Sequence, residues 1–243
     1  MPNNAYSALA EIYEKVIIDS EYEKWKDYIV DLVKEYSTGN KGIDMACGSG
    51  YFTRALSKNG FDIEGVDLSV DMLNEATRLA RQEHLNISFR QGDILSVKSF
   101  KKVDFITIIN DGINYIPPLK LEKAFKNLYG LLNKNGVLIF DISSKYKLEN
   151  VLGNNIFAED NENLTYVWFN KLFDDRVEMD LSVFTKKGDM YQKKEESQTQ
   201  YIHTVENITE NLKKSGYKTV IAQNHMQKNL TNDALRVQFI AIK

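Results

Sequence analysis

The chain has 243 residues, of which 31 are basic and 34 acidic, for a net charge of -3, and 43% are hydrophobic. That length supports one sizeable core with at most a subsidiary lobe, the near balance of charge weighs against nucleic acid as a partner, and no apolar run reaches the length of a membrane-spanning helix. The single cysteine, Cys47, excludes an intrachain disulfide, and the opening Met1-Pro2-Asn3-Asn4 lacks the basic-then-apolar pattern of a secretory signal, so the expected setting is a reducing cytoplasm.

In chain order, Tyr22, Trp25, Ile29, Leu32, Val33 and Tyr36 recur at helical spacing and predict an amphipathic helix from Glu21. A strand is expected to end at Ala46 and a helix to span Tyr51 to Lys58. Then come a strand Asp62 to Val66, a helix Val70 to Glu83 and strands Ile87 to Gln91 and Val103 to Ile109. A helix Leu119 to Leu132 and a strand Val137 to Ile142 complete the series. Strands separated by helices imply a parallel sheet covered on both faces, and the apolar runs Phe105 to Ile109 and Val137 to Phe140 belong at its centre. Beyond Asp141 the period changes. Val177, Met179, Leu181 and Val183 alternate with Glu178, Asp180 and Ser182, which predicts an antiparallel meander of three strands, Thr165 to Phe173, the Val177 to Val183 segment, and Met190 to His203. A helix carrying Val205, Ile208 and Leu212 stops near Gly216, and two closing strands cover Thr219 to Ala222 and Arg236 to Ile242.

Between the first strand and its helix lies Asp44-Met45-Ala46-Cys47-Gly48-Ser49-Gly50. Gly48 and Gly50 let a ligand approach the backbone, and the amides at the helix start suit an anionic group. A third glycine of the dinucleotide pattern would fall at Thr53, where it is absent. Asp44 precedes the turn, so a ligand with both an ammonium and a carboxylate suits the site better than a diphosphate.

These residues resemble the first motif of the class I S-adenosylmethionine (SAM)-dependent methyltransferases, and Gly65-Val66-Asp67, Gln91-Gly92-Asp93, Val103 to Asp111 and Leu131 to Asp141 resemble the segments that follow it in that family. The resemblance covers about Gly42 to Asp141. It implies a Rossmann-like α/β fold: a mostly parallel seven-stranded sheet with an antiparallel C-terminal pair, here carrying a small antiparallel β insertion. It implies SAM as cofactor, Asp67 at the ribose hydroxyls and Asp93 at the adenine amino group. Ala46, Cys47, Gly48, Gly50, Leu68, Met72, Ile94 and Asn110 complete the expected cofactor set with Asp44. Ser69 after Asp67 also reads simply as a helix cap.

Residues 1–148 and 204–243 are expected to form the cofactor-binding core, with Ala5 to Tyr13 as an N-terminal cover. Residues 149–203 are expected to form a lid or acceptor-binding lobe, because the insertion leaves the carboxyl end of the fifth strand, where open α/β sheets bind ligands. Asp111 and Tyr115 after the fourth strand and His203 returning from the insertion are the candidate catalytic residues, His203 for its intrinsic pKa. No metal is expected, since Asp111 and Asp141 lack a third oxygen ligand.

The expected partner is a small-molecule methyl acceptor, methylated at oxygen or nitrogen, on a monomer or homodimer. Methylation of nucleic acid or protein is an alternative, although Asn110-Asp111-Gly112-Ile113 departs from the Asn/Asp-Pro-Pro-Tyr/Phe of base-amino methyltransferases. An NAD-dependent oxidoreductase and a SAM-binding protein without methyl transfer remain further alternatives.

Overall fold

The computed structural model describes Glu14 and residues 20–99, 101–162 and 164–243. The expected cover at Ala5 to Tyr13 lies outside the described residues. Helix α1 (Ser20–Tyr36) turns Trp25, Ile29 and Val33 inward, and the chain then alternates through β1 (Lys41–Met45), α2 (Tyr51–Lys58), β2 (Asp62–Asp67), α3 (Val70–Gln82), β3 (Ser88–Gln91), β4 (Val103–Ile108), α4 (Leu121–Leu131) and β5 (Leu132–Ser143). After a π-helical turn at Lys147–Leu152 come β6 (Ile156–Asn161), β7 (Leu164–Leu172), β8 (Arg176–Lys187), β9 (Met190–Tyr201), α5 (Val205–Lys214), β10 (Thr219–Asn224) and β11 (Arg236–Ile242).

Seven strands form one sheet in the order β10-β11-β5-β4-β1-β2-β3, parallel except where β11 runs against β5 and β10. Its central strands are buried on both faces. Ile106, Leu138, Phe140 and Phe239 face Phe125 and Leu128 of α4 and Leu212 of α5, while Phe105, Val137, Ile139 and Ile240 face Trp25 and Ile29 of α1 and Leu56 of α2. Each such side chain contributes roughly 1.5–3 kcal/mol of burial, which fixes the register as well as the fold.

The second sheet has four strands, β6-β7-β8-β9, rather than three. Its extra edge strand β6 is exposed at nearly every position and carries Glu159 and Asp160, so it has no apolar alternation to announce it. Strand β5 also begins earlier than expected, at Leu132. Asn135 takes a left-handed φ of 62° there, and the β4–β5 register shifts between Val103 and Phe105.

Val177 and Met179 on the inner face of the second sheet pack with Leu148 of the π-helical turn. This packing holds β9 against the carboxyl ends of the parallel strands, where Tyr115 after β4 bonds Gln198 of β9.

Candidate active site

The carboxyl ends of β1, β2 and β4 open into a cavity of about 600 Å³. Its floor is the turn after β1, where Ala46, Gly48 and Gly50 all take positive φ (55°, 55° and 78°). A side chain added at Gly48 would meet nothing within 4 Å, so the bare backbone there faces open space. The Asp67 carboxylate at the end of β2 brackets this floor, accepting from the Gly48 amide and the Ser69 amide, each at 2.8 Å. Burial pushes the Asp67 carboxyl above its ordinary pKa, and those amides oppose the shift. Ser69 caps α3 as expected, accepting from the Met72 amide at 3.3 Å.

Leu68, Met72, Ile94 and Leu95 form an apolar side of the cavity, with Asp93 among them accepting from the Leu95 amide at 2.8 Å. The opposite side comes from Asn110, Gly112 and Tyr115 after β4 and from Gln198, Thr199 and Tyr201 of β9. The Tyr115 hydroxyl donates to Gln198 Oε1 at 2.8 Å and receives Gln200 Nε2 at 3.1 Å. Glu14, Tyr22 and Tyr51 close the rim. Glu14 is held by Arg54 Nη2 at 2.8 Å and by the Ser49 hydroxyl at 2.6 Å.

A family model for a methyltransferase domain matches residues 43–136. The crystal structure of a SAM-dependent methyltransferase from Clostridium acetobutylicum superposes with a TM-score of 0.88 at 32% sequence identity, covering 98% of both chains. This chain belongs to the SAM-dependent methyltransferases. A relative from Geobacillus sp. is 28% identical over 98% of the methyltransferase and 99% of its own length. The sugar N-methyltransferase KedS8 from Streptoalloteichus sp. shares the fold at 17% identity, with a TM-score of 0.73 over 95% of this chain and 90% of its own. The cofactor of the methyltransferase is SAM.

Four expected site residues of the methyltransferase lie outside the cavity lining: Gly50, where an added Cβ would meet Phe89 and Ala76, and three polar residues. Asp44 is one of them. Its two carboxylate oxygens accept from the Thr53 hydroxyl at 2.6 Å and the Thr107 hydroxyl at 2.7 Å, so it ties β1 to α2 and β4. Burial pushes its carboxyl up to about 6 against the pull of both threonines. Thr53, read as a missing glycine, is one of these donors.

Asp111 is the second. It is buried, accepts the Ser143 hydroxyl at 2.8 Å and pairs with Arg236 at 3.3 Å. Asn110 and Asp111 both adopt left-handed backbone, φ 69° and 54°, a conformation these two residue types tolerate. Their amides donate to the two oxygens of Asp141 at 2.8 and 2.9 Å. Arg236 completes the knot, bonding Asp141 and, at 3.1 Å, the Asn110 side-chain oxygen. Sequence reasoning missed Arg236, which looks like an ordinary strand start.

His203 is the third. It is 2% exposed, and its Nε2 lies 3.1 Å from the Ile116 carbonyl, which can only accept, so Nε2 carries the proton. Burial pushes its pKa down to about 4. It is thus a weak, enclosed base that does not line the cavity. Cys47 does line the cavity, but burial pushes its thiol up, which leaves it a filler and not a nucleophile. Among the described residues there is no cluster of metal-ligating side chains and no helix long and apolar enough to cross a membrane.

The buried histidine makes the methyltransferase acid-sensitive. Its folded pKa of about 4 lies below the ordinary 6.5, so the unfolded chain binds more protons between those values and stability falls as pH drops through that window. Exchanging His203 for Gln is expected to recover roughly 2 kcal/mol of the stability lost between about pH 6.5 and 5, read as a shallower fall in Tm on acidification. An unchanged slope would place the sensitivity elsewhere, His225 being the other buried histidine with a pKa pushed down to about 4.

Proposed function

We propose that the enzyme transfers the SAM methyl group to an oxygen or nitrogen of a small-molecule acceptor. The supporting observation is the lining of the cavity, which combines parallel-sheet loops with β9 of the insertion. About 600 Å³ is within the range of sites that bury compact ligands.

The cofactor's residues follow from chemistry and position. The open backbone at Gly48 suits the methionine end, and Asp67 accepts the ribose hydroxyls through lone pairs left beside its two amide contacts. Leu68, Met72 and Ile94 enclose the adenine, and Asp93 accepts from its amino group. When bound, SAM supplies a methyl already activated by a sulfonium, so no acid is required for the leaving group.

What remains for the protein is to align and dry the acceptor, and alignment alone is worth roughly 7–11 kcal/mol. Tyr115, fixed between two glutamine side chains, presents a positioned hydroxyl to the cavity, and Gln198 and Thr199 add polar contacts beside it. Residues 149–203 thereby act as acceptor lobe and cover. The free Cys47 suits a cytoplasmic enzyme.

The test is methyl transfer from labelled SAM, with full-length enzyme, to a metabolite panel and, in parallel, to tRNA, DNA and bulk protein. Product in the metabolite arm is expected. Label confined to a polymer arm would overturn the reading.

A further inference from the structure

The inner face of the insertion holds buried polar atoms without hydrogen-bond partners, the donor Trp168 Nε1 and the acceptors Asn170 Oδ1, Glu196 Oε2 and Gln200 Oε1. The β7–β8–β9 register sets Trp168 beside Leu181 and Glu196, Asn170 beside Met179 and Gln198, and Leu172 beside Val177 and Gln200, so all nine side chains share that face. Glu196 is 8% exposed and Gln200 5% exposed, yet Glu196 Oε2 and Gln200 Oε1 have no hydrogen-bond partner. They flank Gln198, whose amide nitrogen donates to Glu196 Oε1 and whose Oε1 receives Tyr115. Gln198 and Tyr115 line the cavity, so each orphaned oxygen stands one hydrogen bond behind its wall.

Leaving one carboxylate oxygen and one amide oxygen buried without donors forfeits their hydration, and a site that tolerates this in the free enzyme is matched to something that arrives. Both atoms can only accept. An alcohol brings one donor hydrogen and no charge, whereas a protonated amine brings up to three donors, no competing acceptor, and the positive charge that Glu196 lacks. We infer that the methyl acceptor carries an amino group, recognised on the inner face of the insertion by Glu196 and Gln200. The inference rests on the small-molecule reading above and adds the substrate class to it. It concerns recognition, and the recognised amino group need not be the atom methylated.

The test pairs amine-bearing acceptors with hydroxyl analogues of the same skeleton, amino sugars and amino alcohols first, at saturating SAM with full-length enzyme. The amine members are expected to be used at least about 100-fold better in kcat/KM, since a buried polar subsite left unpaired discriminates strongly. Glu196→Gln keeps the shape and removes the charge. It is expected to lower kcat/KM for amines by about 10- to 100-fold, chiefly through KM, with SAM affinity unchanged.

The same substitution provides a readout independent of turnover. If Glu196 waits for a substrate, removing its charge relieves the acceptor-free enzyme, and Tm rises. A lower Tm would mean that Glu196 is an internal structural partner and would overturn the inference. Equal use of amines and alcohols would overturn it too while leaving the small-molecule reading intact, and transfer confined to tRNA, DNA or protein would remove that reading with it.

Discussion

Replacing Asp67 with alanine is expected to weaken the binding of SAM and of S-adenosylhomocysteine by about 100-fold or more, because in the proposed binding mode two ribose hydroxyls would lose a charged acceptor worth roughly 1.5–3 kcal/mol to each. The fold is expected to lose little. The carboxylate is already desolvated and raised in pKa, and its contacts in the free protein are two amides, those of Gly48 and Ser69, at the edge of the cavity. Calorimetric titration measures the affinity, and thermal unfolding shows whether the variant is intact. Asp67→Asn makes a useful second arm, because its amide nitrogen would have to face one of the two backbone N–H groups, donor against donor, while its oxygen still serves the other. Alanine and asparagine are therefore both expected to bind poorly, for different reasons. Unchanged affinity in a folded Asp67→Ala protein would remove Asp67 from the ribose.

The parallel half of the sheet was legible because its chemistry is local. The continuous apolar runs of β4 and β5 can be buried only from both sides, and the turn at Gly48 and Gly50 needs left-handed backbone. Asp67 and Asp93 could be read from strand ends for the same reason, and the structure does bring both to one cavity. The threonine contacts of Asp44 were not legible, because a carboxylate near a glycine turn looks the same whether it faces a ligand or two threonines. Only the tertiary approach of Thr107, 63 positions away, distinguishes them. The burial of His203 was hidden likewise, since its intrinsic pKa suggests a base and only the tertiary contact with the Ile116 carbonyl shows it enclosed with a pKa pushed down. Strand β6 was missed because an edge strand of polar residues carries no period, and the acceptors on β9 because a polar strand reads as solvated surface until Val177 and Met179 show which face is inside. Arg236 could not be assigned at all from sequence. Its partners Asn110, Asp111 and Asp141 lie about a hundred residues upstream.

That distance makes Arg236 the place where stability and site geometry meet. Its guanidinium contacts Asn110, Asp111 and Asp141 and lies over the Trp25 ring at 4.6 Å. With Arg236→Ala, two buried carboxylates lose their paired guanidinium and keep only Lys147 nearby, its Nζ 3.2 Å from the Ser143 hydroxyl that donates to Asp111, and breaking a buried pair in this way costs about 3–5 kcal/mol. Against a typical total of about 5–15 kcal/mol, a fall in Tm of roughly 10 °C follows for a chain of this size. The loss should depend on pH. Burial already holds the Asp141 carboxyl above its ordinary value despite Arg236, and without the guanidinium it rises further. A carboxyl whose folded pKa exceeds its unfolded one binds more protons when folded, so its penalty grows as pH rises through that range and shrinks on acidification. The Arg236→Ala deficit is therefore expected to narrow below neutrality, opposite to the acid loss expected from His203. Activity should fall by more than the unfolded fraction accounts for, because Asp141 and Arg236 together hold the left-handed Asn110-Asp111 turn, whose Asn110 lines the cavity. Arg236→Lys, which keeps the charge but cannot span three acceptors, should restore much of the Tm and less of the kcat. If lysine restored both equally, Arg236 would matter only as a counterion and the shape of the Asn110 turn would depend on Asp141 alone.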